Sequence, residues 1–130
     1  MKQVHSHEPS QKDAAVSFLQ FVVQGNIREA YAKFVDPDMH HHNPAFAGDA
    51  ASLEKAMEQN HAQFPHKLLD VKRVLEDGNL VAVHSLIRLQ SGTPGVAAVH
   101  IFRFHAGRIV ELWDVGQPVP ETSPNVNGMF

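Results

Sequence analysis

A histidine and an aspartate stand at opposite ends of the stretch His100-Ile-Phe-Arg-Phe-His-Ala-Gly-Arg-Ile-Val-Glu-Leu-Trp-Asp114, and both are residue types suited to moving protons. An imidazole ordinarily changes charge near neutral pH, and a carboxylate becomes a better base as its surroundings become apolar. The residues between them read as a β-hairpin, because Ala106-Gly107 separates two β-branched and aromatic runs. With Gly107 in the left-handed position of a three-residue bulged turn, Phe104 pairs with Arg108, Phe102 with Val110 and His100 with Leu112, and Ala98 faces Asp114. Alternation then gathers His100, Phe102, Phe104, Val110, Leu112 and Asp114 on one mostly apolar face. A two-residue turn would instead set His100 opposite Trp113 and send Asp114 to the other face. A carboxylate among apolar neighbours must be hydrogen-bonded, paired or neutral. Each state is compatible with Asp114 as a general base and with His100 as the group that orients it, polarises a substrate oxygen or shuttles the proton. The competing reading is a buried hydrogen-bonded pair whose role is structural.

A second cluster is His40-His41-His42-Asn43-Pro44, in which His40 and His42 share one face of an extended segment. With His100 and Asp114 from another strand they have the donor types of a nitrogen and oxygen metal site. The alternative is that one of these histidines faces solvent while another lines a pocket as a neutral hydrogen-bonding group. Asn43 precedes a proline and is either a turn residue bonding its own backbone or a pocket donor. His84, in Leu80-Val-Ala-Val-His-Ser, falls on the strand face that carries Asp70 and Lys72, which favours a solvent or interface role. The aromatic residues sit at helical or strand spacing, as core residues do. Where core and cavity wall share side chains, Phe18, Tyr31, Phe102 and Trp113 join His42 and Asn43 as candidate substrate contacts. No Gly-rich phosphate loop, nucleophile elbow or dinucleotide fingerprint is present, so hydride and phosphoryl transfer have no support.

The elements that must position these groups follow from periodicity. Ser10-Gln-Lys-Asp13 has the form of a capping box, and Ala15, Phe18, Leu19 and Val22 follow at helical spacing up to a stop at Gly25. Asn26 can cap a second helix whose apolar face is Ile27, Ala30, Tyr31 and Phe34, ending before Asp36-Pro37. Met39 to Asn43 reads as a short extended piece. Asp49 can cap a third helix carrying Leu53, Ala56, Met57 and Asn60, closed before Pro65. Beyond it, strands over residues 67–76 and 80–90 flank Asp77-Gly78, and strands over 96–105 and 108–117 flank Ala106-Gly107. This is an α+β chain of three helices followed by an antiparallel meander. Both faces of the late strands are apolar, so Val99, Ile101, Ile109, Trp113 and Val115 need cover that three helices on the other face do not supply. A homodimer through that sheet face meets the need.

Composition bounds the rest. At 130 residues the chain is one domain, with residues 1–9 a flexible N-terminus and 118–130 a tail ending in the apolar Gly-Met-Phe. The absence of cysteine removes disulfides, thiol nucleophiles and thiolate metal sites. A formal charge of −3 with no basic cluster gives no footprint for nucleic acid. With no apolar run of membrane-spanning length and no signal-peptide pattern, the expectation is a cytoplasmic protein without a membrane partner.

The pieces His42-Asn43-Pro44, Glu76-Asp-Gly-Asn-Leu-Val-Ala-Val-His84, Ile101-Phe-Arg-Phe104, Gly107-Arg-Ile-Val-Glu-Leu-Trp-Asp-Val115, Gln117-Pro-Val-Pro120 and Asn127-Gly-Met-Phe130 resemble the SnoaL-like polyketide cyclases of the nuclear transport factor 2-like superfamily. The resemblance covers roughly residues 10–130 and is strongest to a bacterial subgroup described as predicted aldol-condensation enzymes. It implies a cone-shaped fold in which three N-terminal helices pack on a curved antiparallel sheet of four to six strands, usually dimeric, around a deep apolar pocket. It also implies a cofactor-independent reaction, in which an aspartate of the last long strand removes a proton next to a carbonyl. Asp114 matches that aspartate and His100 matches a pocket histidine of the preceding strand. Related chains carry an acidic residue where His100 stands and Gln where His41 stands. The superfamily also holds non-catalytic binding proteins. Three functions therefore follow as expectations: an enzyme acting on a small apolar carbonyl compound without a cofactor, a non-catalytic ligand-binding or dimerising module, and a metal-dependent pocket built from His40, His42, His100 and Asp114.

Overall fold

A computed structural model describes residues 9–130, so the flexible N-terminus expected over residues 1–9 lies, except for Pro9, outside the described residues. Three helices and five strands follow in the order α1 (Gln11–Val23), α2 (Ile27–Phe34), β1 (Val35–His41), α3 (Ala50–Gln63), β2 (Leu68–Asp77), β3 (Leu80–Arg88), β4 (Val96–His105) and β5 (Arg108–Pro118).

The helix starts follow their capping chemistry. Ser10 Oγ accepts from the Asp13 amide at 3.1 Å at the head of α1, and Asp49 accepts from the Ser52 amide at 3.0 Å at the head of α3, each satisfying a donor that has no partner within the helix. Asn26 precedes α2 as expected, but its side chain makes no capping bond. Between α1 and α2 the chain turns at Gly25, at φ +89°, where a Cβ would collide with the His61 ring. Both the left-handed conformation and the close approach of the imidazole require glycine there.

The strands form one sheet in the order β1-β5-β4-β3-β2. The β2–β5 meander is antiparallel. The extended piece expected at Met39 begins earlier, at Val35, and pairs parallel with β5, so the sheet is mixed.

The last hairpin corrects the expected register. His105 pairs with Arg108 across a two-residue turn in which Ala106 and Gly107 have φ of +50° and +81°, as the primed turns of tight hairpins require. Phe104 then pairs with Ile109, but Arg103 pairs with Glu111, so Val110 is an extra residue in β5. This bulge makes His100 pair with Asp114, where the two-residue turn alone would pair it with Trp113 and the expected three-residue turn with Leu112. It also places Ile109, and not Val110, in the core: Ile109 is fully buried and Val110 partly exposed. The turn alone would have sent Asp114 outward, and the bulge returns it to the face of His100, because one extra residue reverses side-chain parity.

The inner face of the sheet carries Val81, Val83, Phe102, Phe104, Ile109 and Leu112, all buried against the helices. Phe18 of α1 meets Tyr31 at 5.7 Å and Phe102 at 5.8 Å between ring centroids, both edge-on, the geometry aromatic quadrupoles prefer. The outer face leaves Val99, Ile101 and Trp113 half-buried and Val115 65% exposed. The tail extends the sheet by one bond, from Val119 N to Gly95 O at 2.9 Å. It ends with Phe130 against His84 at 5.3 Å and beneath Lys72 Nζ at 5.1 Å. Among the described residues no helix is long and apolar enough to cross a membrane.

Candidate active site

The ladder sets side chains in rows across the inner face. Val81, Phe102 and Leu112 form one row, Val83, His100 and Asp114 the next, and Ser85, Ala98 and Gly116 the one beyond. The first is bulky and closes the core. The third is built of small residues and leaves a trough, so the His100–Asp114 row lies where packed core gives way to open space. A cleft of about 340 Å³ occupies that trough, lined by Asn43, Ile87, Val96, Ala98, His100, Asp114 and Gly116 and bordered by Val115. A second cleft of about 320 Å³ lies toward α3, against Val22, Phe46, Leu53, Ala56, Met57 and Asn60, and shares Asn43 and Asp114 with the first. The aspartate is thus reachable from both halves, each within the size range of small-molecule sites.

Asp114 accepts from Asn43 Nδ2 at 3.1 and 3.3 Å, one contact to each carboxylate oxygen. The amide cannot be reversed, because Asn43 Oδ1 accepts the Ala45 amide at 2.9 Å and only an oxygen can take that proton. Asn43 is therefore both turn residue and pocket donor. His100 Nδ1 is buried without a protein partner. Burial is the larger influence on this ring and the Asp114 carboxylate opposes it; the balance pushes the His100 pKa below 6.5. The ring is neutral at pH 7, with one N–H to donate and one nitrogen to accept.

The other expected contacts go elsewhere. His42 and Trp113 stack face to face at 5.1 Å on the outer side of the sheet. There His42 Nε2 donates to Glu111 at 2.7 Å and Arg103 Nε donates to the same carboxylate at 3.2 Å. The bonds from His42 and Arg103 hold the Glu111 pKa below its usual range. Neither His42 nor Trp113 lines either half of the cleft. Phe18 and Phe102 are fully buried core. Tyr31 donates its hydroxyl to Met57 Sδ at 3.3 Å and borders a separate depression of about 350 Å³ beside Arg28 and Glu54; burial pushes its hydroxyl pKa strongly up. The metal set of His40, His42, His100 and Asp114 is not assembled, since His42 faces the other side of the sheet. Among the described residues no group of three or more histidine and carboxylate side chains is placed to hold an ion.

The histidine of the run that does turn inward is His41, which is 5% exposed. Its Nε2 donates to Ala47 O at 2.5 Å and its Nδ1 accepts the Asn43 amide at 3.1 Å. The signal was available two residues earlier: Met39 is apolar, and alternation from Met39 carries His41, not His42, to the core. Ser85, fully buried, also has a hydroxyl without a protein partner, and nothing in its strand marked it out.

Comparison with known proteins agrees with this architecture. Solved structures with the same fold include a nuclear transport factor 2-like protein of unknown function from Cytophaga hutchinsonii, with a TM-score of 0.71 at 17% identity over 88% of this chain and 96% of that one. A candidate polyketide cyclase from Acidithiobacillus ferrooxidans gives 0.66 at 22% identity over 86% and 91%. IdmH, a candidate polyketide cyclase from Streptomyces antibioticus, gives 0.64 at 22% identity over 83% and 92%. At these identities the likeness is one of fold. No curated protein sequence matches the chain. The SnoaL-like domain family matches residues 15–112, a span that runs from within α1 to the middle of β5 and stops two residues before Asp114, and on that match the chain belongs to the SnoaL-like family.

Proposed function

We propose that the chain is a cofactor-independent enzyme that removes a proton from a carbon next to a carbonyl in a small, largely apolar substrate, with Asp114 as the base. The observation that carries the reading is the Asp114 carboxylate, hydrogen-bonded by Asn43 at the junction of two cleft halves, with the neutral His100 directly across the ladder. In the first step an Asp114 oxygen takes the α-proton, and the C–H electron pair becomes the carbon–carbon double bond of an enolate. The negative charge moves to the former carbonyl oxygen. A neutral imidazole suits that oxygen as a donor, because it stabilises the developing charge without surrendering its proton first. The enolate carbon then attacks a second carbonyl in an aldol step, closing a carbon–carbon bond while the new alkoxide takes the proton held by Asp114; or, in a β,γ-unsaturated substrate whose intermediate is a dienolate, Asp114 returns the proton to the γ-carbon, which is isomerisation. The surrounding Val22, Leu53, Ala56 and Met57 fit an apolar substrate body. The apolar residues of the outer sheet face, half-buried at Val99, Ile101 and Trp113 and exposed at Val115, support a homodimer through that face, and a cytoplasmic setting accords with the composition.

Exchange of the α-proton with solvent tests the first step whatever the final product. A panel of apolar ketones and 1,3-dicarbonyl compounds is incubated with the protein in D2O, and deuterium at the α-carbon is followed by NMR. Asp114→Asn keeps the shape of the side chain but cannot take the proton, so exchange should fall by about 100-fold to 10,000-fold, the usual contribution of a positioned base. Binding of the same compound should change little. Exchange that persists in Asp114→Asn removes Asp114 as base. Saturable binding without exchange across the panel replaces the enzyme with a binding module.

A further inference from the structure

His41 touches neither half of the cleft, yet its bonds span both ends of the loop that delivers Asn43. That loop, residues 43–48, has little apolar anchorage, since Phe46 is 45% exposed. Beside a bond from the Phe46 amide to Asn43 O at 3.4 Å and a bridge between His40 and Asp49, three bonds that close it belong to one residue. The His41 amide donates to Gly48 O at 3.0 Å, Nε2 donates to Ala47 O at 2.5 Å, and Nδ1 accepts from the Asn43 amide at 3.1 Å. The neighbouring His42 amide ties the same segment to β5 through Leu112 O at 3.0 Å. Asn43 then accepts Ala45 N through Oδ1, which aims Nδ2 at Asp114.

The chemistry of this clasp admits one state of the ring. A carbonyl can only accept and a backbone N–H can only donate, so Nε2 must carry the proton and Nδ1 must be bare. The other neutral tautomer would set N–H against N–H at Asn43 and a lone pair against a lone pair at Ala47. With the ring buried, water cannot repair either mismatch.

We propose that His41, held as the Nε2–H tautomer, is a positioning residue that fixes the Asn43 loop and through it the hydrogen bond from Asn43 to Asp114. The inference rests on the reading of Asp114 as the reacting carboxylate, and it adds a second layer to that site: β1 sets His41, His41 sets the loop, and the loop sets the donor on the base. Asn43 so placed leaves each Asp114 oxygen with further acceptor capacity for the substrate proton.

NMR of the labelled protein without ligand tests it. In the wild type, nitrogen spectra should show His41 as the Nε2–H tautomer, with a through-hydrogen-bond coupling between the Asn43 amide nitrogen and His41 Nδ1. His41→Phe, which fills the space but makes neither bond, should speed solvent exchange of the Asn43 side-chain amide about fivefold to tenfold, the equivalent of one lost hydrogen bond. It should also move the Asp114 carboxyl carbon resonance in the direction seen in Asn43→Ala. His41→Gln, which can both donate and accept, should restore part of each effect. A wild-type His41 in the Nδ1–H form overturns the proposal, and so does an unmoved Asp114 resonance in folded His41→Phe. Should His41→Phe fail to fold, the wild-type tautomer and coupling decide alone. These readouts involve no turnover, so their failure is distinct from a failure of the exchange assay on Asp114→Asn.

Discussion

Replacing Ile109 and Val110 one at a time by alanine measures the bulge that brings Asp114 to its face. The two residues are adjacent and similar in size, and the expected hairpin register and the observed one assign them opposite roles. Ile109 is fully buried among core residues, while Val110 is partly exposed. Ile109→Ala removes three buried carbons, worth about 0.8 kcal/mol each in transfer free energy, or about 2.4 kcal/mol. The unfilled space beside Phe104 and Val35 raises the total to about 3–4 kcal/mol. Val110→Ala removes two carbons from a partly solvated site and should cost less than about 1 kcal/mol. At about 4 °C per kcal/mol for a domain of this size, Ile109→Ala should lower the melting temperature by about 12–16 °C and Val110→Ala by at most about 4 °C. Urea denaturation and thermal scans of the two variants supply both numbers. Equal losses, or a larger loss at Val110, would mean that β5 carries no bulge at Val110, and the face assigned to Asp114 would fall with it.

Three further outcomes follow from the same structure. Because the folded state holds His100 below its ordinary pKa of about 6.5, the unfolded chain takes up a proton that the folded chain refuses; stability should therefore fall as pH drops below about 6.5, and His100→Phe should flatten that slope relative to wild type in denaturation at pH 7.5, 6.5 and 5.5. Identical slopes would remove the burial argument for this ring. Gly25→Ala should destabilise by more than about 1 kcal/mol, from positive φ and from the clash with His61; adding His61→Ala should recover the clash but not the backbone part, and full recovery would refute the backbone strain. Light scattering at micromolar concentration should give twice the 14.4 kDa chain mass, and Val115→Asp on the outer face should return it to the monomer; a wild-type monomer would leave that face without its proposed cover.

Much of the fold is legible because local chemistry and tertiary packing agree along this chain. Ser10 and Asp49 cap the helices they precede, and Gly25, Asp77-Gly78 and Ala106-Gly107 turn the chain where positive φ is needed. What the sequence does not carry is long-range pairing. Nothing local says that Val35–His41 adds to the sheet edge parallel to β5, because parallel partners are set by the whole path of the chain. The position of the hairpin bulge escapes for a related reason. One extra residue is needed for His100 and Asp114 to share a face, and the apolar pattern demands it, but glycine at 107 serves a tight turn as well as a bulged one. Packing decides, and it prefers Ile109 inside with Val110 displaced.

The same distinction separates the parts of the site that can be read from those that cannot. His100 and Asp114 are placed by sheet parity, which a sequence displays, whereas the small Ser85–Ala98–Gly116 row that opens the cleft beside them is recognisable only once the pairing of three strands is known. The histidine run shows how far parity reaches. Counting from the loop at Asn43-Pro44 makes His42 a pocket residue; counting from the buried Met39 makes it His41, and the strand follows the buried residue because apolar burial outweighs the preference of any one imidazole. His42 then finds Trp113 and Glu111 on the outer side. The inward place falls to a histidine whose two nitrogens meet one donor and one acceptor of the backbone. A buried ring satisfied in this way needs no ligand to explain it. Its consequence for chemistry lies two residues further on, in the direction it gives the Asn43 amide toward Asp114.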